Sequence, residues 1–560
     1  MRRLIRFFSK YGMLGPLYAI RWIFFKNRNK RLAKEILDID VSAFVIKSRT
    51  TIFSDLYKGN FNEVENILAA DRKILFYEEN DENIKLDVKC RWELNRNHHL
   101  SILAFHAQKL PKHYIETLYN SEELNRILLE TNAMEVAISV INTITSFKLV
   151  DGLCEDQVNC GANHIQKSLS YILNHYEKGI RFSANHYFFN LIGTLWICES
   201  IVGNKRTQKI QKEAYKELIQ LLKQMIGSDG ALYEGSTHYH KYVTETLLLF
   251  LVEFPSAFKG SIQKIATKMV QFCEYASQNN KILGLGDNDS GRLLPLPTYW
   301  DYSSSDIQLI QNLSVMLNVK EENSLLSAKE FGLYKLQGGS WNIAIRLETQ
   351  NKSYRRVMGS HCHNDQLHFS LFYDKHPILV DRGTYSYIEM NNYRLKNQKT
   401  SSHNTIVVND EEQNRIFNDW SYERRKNKAK VLKTNHNSFI GYFYDNSGNK
   451  ILRDLKYIGE NELKDEFFIS EGNDKLEKIN VFYHFAPSFQ VVRKTKNKIT
   501  LIFSKYKVIF EAFSGEIVQE HYFFSGEYGK KVRAVRLVVN YTDFENPIFT
   551  NSIKIKKRVL

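Results

Sequence analysis

The spacing of apolar residues changes once along the chain, and that change constrains the fold more than any other feature. From about residue 60 to 280, segments such as LNRILLETNAMEVAISVINTITSFKLV, ANHYFFNLIGTLWICESIV and YVTETLLLFLVEF repeat apolar residues at three- and four-residue intervals, the signature of helices with a buried face. Turn punctuation such as Ser228-Asp229-Gly230 separates them. After LPLPTYWDYSS the segments shorten: SWNIAIRLET, NTIVVND, SFIGYFYD, ELKDEFFISE, KYKVIFEAFSG and RAVRLVVNYT are β-branched and aromatic, with Asn, Gly, Asp and Lys between them. Helices followed by strands predict a multidomain α+β chain, with a helical domain of repeated hairpins over 51–310 and an antiparallel β-sandwich over 325–560. The tail IKIKKRVL reads as an edge strand or a solvated end.

A chain of 560 residues exceeds one ordinary core, which fits two or three domains. Its formal charge of +15 favours a polyanionic partner: nucleic acid, an anionic polysaccharide or a membrane surface. No helix-turn-helix, zinc-finger or RNA-binding signature is present, which argues against specific nucleic-acid binding. The cysteines, at 90, 154, 160, 198, 273 and 362, form no CxxC pair, so reduced thiols are the simpler reading. Residues 1–50 form a basic and aromatic helical segment. Arg6, Lys10 and Arg21 interrupt its apolar runs, so neither a signal peptide nor a spanning helix fits. It reads either as a basic amphipathic helix in peripheral contact with a membrane, or as a helix packed on its own protein or a simple basic arm.

Two groups of residues carry chemistry. GSHCHNDQLHFSLFYDKHPILVDRGTYSY begins at Gly359, and SSHNTIVVND follows with His403. Here His363, Asp381 and His403 offer two imidazoles and a carboxylate to a zinc-like cation; the alternative is histidines that close hydrogen bonds in turns. In the helical half, ANHYF puts Asn185 beside His186, and DGALYEGSTHYH places Glu234, Tyr239 and His240 in a connection entering a helix.

These pieces, with WELNRNHHL from Trp92 and GLGDNDSGR from Gly284, resemble the heparinase II/III and alginate lyase superfamily of bacterial polysaccharide lyases, in the family's order from residue 92 to 410. The resemblance implies an N-terminal incomplete (α/α) toroid before the C-terminal sandwich. It implies catalytic roles for four residues: Asn185 neutralising a uronate carboxylate, His186 as base, Tyr239 as proton donor to the leaving O4, and His361 reaching in from the sandwich. His363, Asp381 and His403 match the ligands of a structural divalent metal, Zn2+ first, with Mn2+ or Ca2+ as alternatives. Trp92, Asn95, Arg96, Glu234, Tyr387, Tyr393 and Arg394 are the candidate substrate-binding residues. Tyr385 competes with Tyr387 and Tyr393 for one place in the site, and for Arg96 a structural ion pair is the competing role.

The implied activity is a carbon–oxygen lyase on uronate-containing anionic polysaccharide, heparosan- or heparan-like. A glucuronyl C5-epimerase, an isomerase using the same C5 deprotonation, is the alternative because related folds resemble both. The basic N-terminus without a clear signal peptide places the expected enzyme in the bacterial cytoplasm or at the periphery of the inner membrane rather than in the periplasm. A homodimer is compatible with the sequence.

Overall fold

The computed structural model describes residues 15–47, 96–98, 100–101, 104, 132–150, 152–180, 183–296, 306–319, 327–348, 361–387, 393–418, 421–422, 429–470, 472, 475–544 and 548–557. Trp92, Asn95, Cys90 and residues 1–14 of the N-terminal segment lie outside them. Helices dominate up to residue 316 and strands from residue 333 onward, so the switch in periodicity marks a real change of architecture.

The helices delimited among the described residues are α1 (Gly15–Leu37), α2 (Ala133–Leu149), α3 (Glu155–Asn174), α4 (Asn185–Ser200), α5 (Lys205–Met225), α6 (Thr237–Glu253), α7 (Gly260–Tyr275), α8 (Gln308–Met316) and the short α9 (Tyr393–Gln398). Helix α5 shows how sequence sets an outer helix. Asn204 caps it by accepting from the backbone N–H groups of Arg206 and Thr207 at 2.9 and 3.1 Å. Ile210, Ala214, Leu218, Leu221, Leu222 and Met225 bury one stripe, with lysines and glutamates elsewhere.

By contrast, α4 and α6 are buried on nearly every side, which makes them the central helices of this half. Gly193 permits that depth in α4, since a Cβ there would lie 2.6 Å from the Cβ of Ala137 on α2. No helix among the described residues is long and apolar enough to cross a membrane. The five described cysteines are free thiols.

The strands form three main antiparallel sheets. One is a meander of Leu333–Gly338, Trp341–Arg346, His368–Tyr373 and His376–Leu379. A second orders Glu516–Glu527, Lys530–Tyr541, Ile479–His484 and Ile406–Val408. The third has eight strands running from Ala429–Thr434 at one edge to Gln490–Lys494 at the other. Inward residues of all three, among them Ile343, Phe369, Tyr483, Leu537, Leu463 and Phe510, share one apolar core. A smaller cluster joins helices to sheets, with Ala231, Phe272 and Ile282 against Phe331, Leu333 and Ala344.

The tail corrects the expectation of an edge strand or solvated end. Ile548–Lys557 lies inside the eight-stranded sheet, pairing with Glu462–Ser470 on one side and Tyr506–Ala512 on the other. Alternation explains it: Ile553 and Ile555 face the core, while Lys554 points to the other face and pairs with Glu462 at 3.4 Å. Lysines on the outer face of a strand do not require that strand to be an edge.

Candidate functional site

Helix α4 opens with the Asn185–His186 pair. The backbone N–H and Nδ2 of Asn185 donate to the two carboxylate oxygens of Glu234 at 2.8 and 2.9 Å. Burial pushes the Glu234 carboxyl up, against His361 and Asn185, which pull it down. The Oδ1 atom of Asn185 is buried with no hydrogen-bond partner among the described residues.

His186 is the more exposed of the pair, with 43% of its side chain accessible, and its Nδ1 lies 2.7 Å from Glu177 Oε1. Glu177 also accepts from the backbone N–H of Met134 at 3.0 Å and from Asn190 Nδ2 at 3.2 Å. Burial would lower the His186 pKa, but Glu177 outweighs it and the net shift is upward. Burial would raise Glu177, but His186, Asn190 and Met134 bring it below its ordinary value.

The pH dependence of stability follows from these two directions. The carboxylate's contribution is present above its unfolded pKa of about 4.3 and is lost as pH falls through the folded value. The imidazolium's is present below about 6.5 and is lost as pH rises through its raised folded value. Glu177→Gln is therefore expected to lower the urea midpoint most near pH 5.5 or so and least at about pH 9. Equal shifts at both would show that the bond has no ionic component.

Tyr239 sits in the first turn of α6, where Ser236 caps the helix by accepting from the Tyr239 backbone N–H at 3.2 Å. Its ring stacks on His361 with centroids 3.7 Å apart and planes 19° apart. Its hydroxyl lies 2.9 Å from that of Tyr387, which also donates to the Asn288 carbonyl at 2.9 Å. Burial, then the nearby Asp289 carboxylate, push the Tyr239 phenol well above its ordinary value. His240 has a structural place: Nδ1 accepts from the Leu232 backbone, and Nε2 lies 3.1 Å from the Met269 carbonyl.

The sheet half supplies His361 and His363 on a loop that meets GLGDNDSGR from the helical half. The backbone N–H of Asp287 donates to the His361 carbonyl at 2.9 Å, an approach that depends on Gly286. That glycine has φ +73°, and a Cβ there would lie 2.6 Å from the His361 carbonyl oxygen and 2.7 Å from that of Gly235. Gly286→Ala is expected to cost more than the roughly 1–2 kcal/mol of left-handed strain alone. A denaturant midpoint equal to wild type would refute that.

Asp287 is fully buried. One carboxylate oxygen lies 3.0 Å from His361 Nδ1 and 2.6 Å from Arg394 Nη2, the other 3.0 Å from His363 Nε2 and 3.3 Å from Thr384 Oγ1. Burial would raise its carboxyl, but Arg394, His361 and His363 hold it well below the carboxylate range. Asp287, within GLGDNDSGR, and Glu177 have no local sequence signal that marks them as functional.

Ligand atoms of His363, Asp381 and His403 all lie within 4.8 Å of one another, and all three residues are buried. His403 Nδ1 is 2.7 Å from Asp381 Oδ2. Burial would raise Asp381, but His403 and the other imidazoles lower it. His363 Nδ1 and His403 Nε2 have no hydrogen-bond partner among the described residues, which is unusual for buried polar atoms. Two orphaned imidazole nitrogens beside a carboxylate suit a divalent cation such as zinc. A further histidine, His368, lies 3.7 Å from Asp381 Oδ2 and accepts from the Asn404 backbone N–H through Nδ1.

The remaining candidates are distributed around this centre. Arg96 pairs with Glu135 through two buried bonds of 2.6 and 2.9 Å. Arg394 is buried, bonded to Asp287 and placed 5.2 Å from the Tyr387 ring centroid. Of the three competing tyrosines, Tyr387 meets Tyr239, while Tyr385 has the Lys531 ammonium 4.3 Å from its ring centroid. Tyr393 begins α9.

Residues 321–556 match the family model described as Heparinase II/III-like, C-terminal. No curated protein matches the chain in sequence. Among solved structures, heparinase III is similar with a TM-score of 0.67 and 14% identity, covering 92% of this chain and 88% of that one. The heparan sulfate lyase HepC from Pedobacter heparinus is similar with a TM-score of 0.56 and 15% identity, covering 94% and 87%. The C-terminal domain thus matches the Heparinase II/III-like family over residues 321–556, and the chain shares its fold with these two structures.

Proposed function

We propose that the chain is a polysaccharide lyase that cleaves uronate-containing anionic polysaccharide, heparosan- or heparan-like, by removing the C5 proton and eliminating at O4. The observation that carries this reading is the stack of Tyr239 on His361, which sets a proton-bearing phenol from the helical half against an imidazole from the sheet half, beside the Asn185–Glu234 pair. The helical half is an incomplete toroid and the sheet half a sandwich, divided between residues 310 and 325, with the substrate lying between them.

The C5 proton is a weak acid because its removal adds charge beside an ionised carboxylate. Donors fixed on that carboxylate stabilise the developing charge, roughly 3–4 kcal/mol for one well-placed donor. Asn185 Nδ2 retains a hydrogen beyond the one given to Glu234, free to be donated to the uronate carboxylate. His186, held through Nδ1 by Glu177, takes the C5 proton. The C4–O4 bond then breaks, a C4–C5 double bond forms, and Tyr239 protonates the leaving oxygen. A phenol whose pKa is raised by burial is suited to the acid role.

His363, Asp381 and His403 would hold a divalent cation, which when bound would supply fixed positive charge to the sheet-side loops. Arg394 and Tyr387 support the centre, and the chain's net charge of +15 favours an acidic polymer.

A second reading, C5-epimerisation, is favoured by the presence of two separate proton carriers, His186 and Tyr239: a proton returned to C5 on the opposite face replaces the loss of O4. Incubation with a panel of uronate polysaccharides in deuterated buffer separates the two. Ultraviolet absorbance of an unsaturated uronate establishes the lyase. Deuterium at an inverted C5 without that absorbance establishes the epimerase, and neither signal on any substrate rejects both.

A further inference from the structure

We propose that Asp287 is a positioning residue that fixes the tautomers of His361 and His363 together, so that the candidate cation site and the candidate catalytic imidazole share one carboxylate. The role at His361 rests on the proposed reaction, whereas the role at His363 does not.

Donor counting carries the argument. An ionised carboxylate is acceptor-only and offers about four lone-pair sites. Asp287 faces His363 Nε2 and Thr384 Oγ1 on one oxygen, and His361 Nδ1 and Arg394 Nη2 on the other. Each imidazole must therefore present N–H to Asp287. His361 then carries its proton on Nδ1 and shows Nε2 to Glu234, 3.6 Å away. His363 carries its proton on Nε2, which leaves a lone pair on Nδ1, the buried nitrogen without a partner beside Asp381 and His403. A histidine ligand oriented by a carboxylate on its other nitrogen is a recurrent way to strengthen a metal site.

Asp287→Asn tests this because its two ends are not equivalent. Arg394 cannot accept a hydrogen bond, so the amide oxygen must stay with Arg394 and His361. The NH2 group then faces His363 and Thr384. The threonine hydroxyl can rotate to accept, but His363 must move its proton to Nδ1 and loses the lone pair a cation needs. The variant is expected to bind Zn2+ about 10–100-fold more weakly than wild type in competition with a chromophoric chelator. Equal Zn2+ affinity, or a wild-type protein that takes up no Zn2+, would overturn the shared role.

Should the variant fail to fold, nitrogen NMR of the wild-type protein labelled at histidine, with His363 assigned by substitution, gives the answer directly. The proton is expected on Nε2 of His363 and on Nδ1 of His361; the opposite tautomer at either ring refutes the proposal. Silence of the enzyme on every glycan would strike the lyase reading while leaving the Zn2+ and tautomer results to stand.

Discussion

Tyr239→Phe is expected to reduce turnover of a uronate polysaccharide by about 10²–10⁴-fold, the usual contribution of a positioned general acid, while leaving affinity for the polymer nearly unchanged. The substitution removes one hydroxyl and keeps the ring. The phenyl group still stacks on His361 from the first turn of α6, and Ser236 still caps the helix at its backbone. Tyr387 loses a neighbour 2.9 Å away but keeps its bond to the Asn288 carbonyl, so the stability cost is small, about 1 kcal/mol. What disappears is the proton for the leaving oxygen. Tyr387→Phe, by comparison, leaves that proton in place and is expected to be milder. Initial rates paired with affinity electrophoresis decide the matter: comparable turnover by Tyr239→Phe would remove this residue from the chemistry, and a matching fall in affinity would recast it as a binding residue.

Much of this centre was legible because each half carries a compact motif. The helical spacing of THYHKYVTETLLLFLVE placed Tyr239 at a helix start, and the alternation in LHFSLFY and HPIL delivered Asp381 just beyond a strand. Legibility ended where partners come from distant segments. Asp287 joins His361 across 74 positions and Arg394 across 107, and no local periodicity encodes such a contact. Tyr385, Tyr387 and Tyr393 were inseparable for a similar reason: the sequence around them has no apolar repeat to say which ring faces α6. Glu177 lies in the irregular connection after α3, and only the fold brings His186 to it. The tail misled because its lysines record only the outward face of a strand whose inward face is Ile553 and Ile555.

Arg453→Met is expected to destabilise the sheet half by about 3–5 kcal/mol, the cost of removing one partner from a buried ion pair. Arg453 is fully buried on Lys450–Ile458, where its guanidinium donates to both Asp465 oxygens at 2.8 and 2.6 Å and to the carbonyls of Leu367 and Asn404 at 2.5 and 2.7 Å. It also lies 4.4 and 4.7 Å from the Phe369 and Phe467 ring centroids. Methionine fills much of the volume but leaves Asp465 charged and buried, with the Tyr483 hydroxyl as its remaining side-chain donor among the described residues. Pairing Arg453→Met with Asp465→Leu is expected to recover part of the loss, because an apolar pair needs no compensation. Denaturant midpoints of the two single variants and the double variant measure the coupling, and additive losses would show that the two side chains act independently. The damage should also reach the cation site. The Asn404 side chain donates to the Phe369 and Val380 carbonyls and accepts from the His484 backbone, so an unsettled Asn404 carbonyl loosens the turn that carries His403. Weakened Zn2+ uptake by Arg453→Met under conditions where it remains folded would therefore mark the buried arginine as a support of that turn, whereas unchanged uptake would confine its role to the sheet.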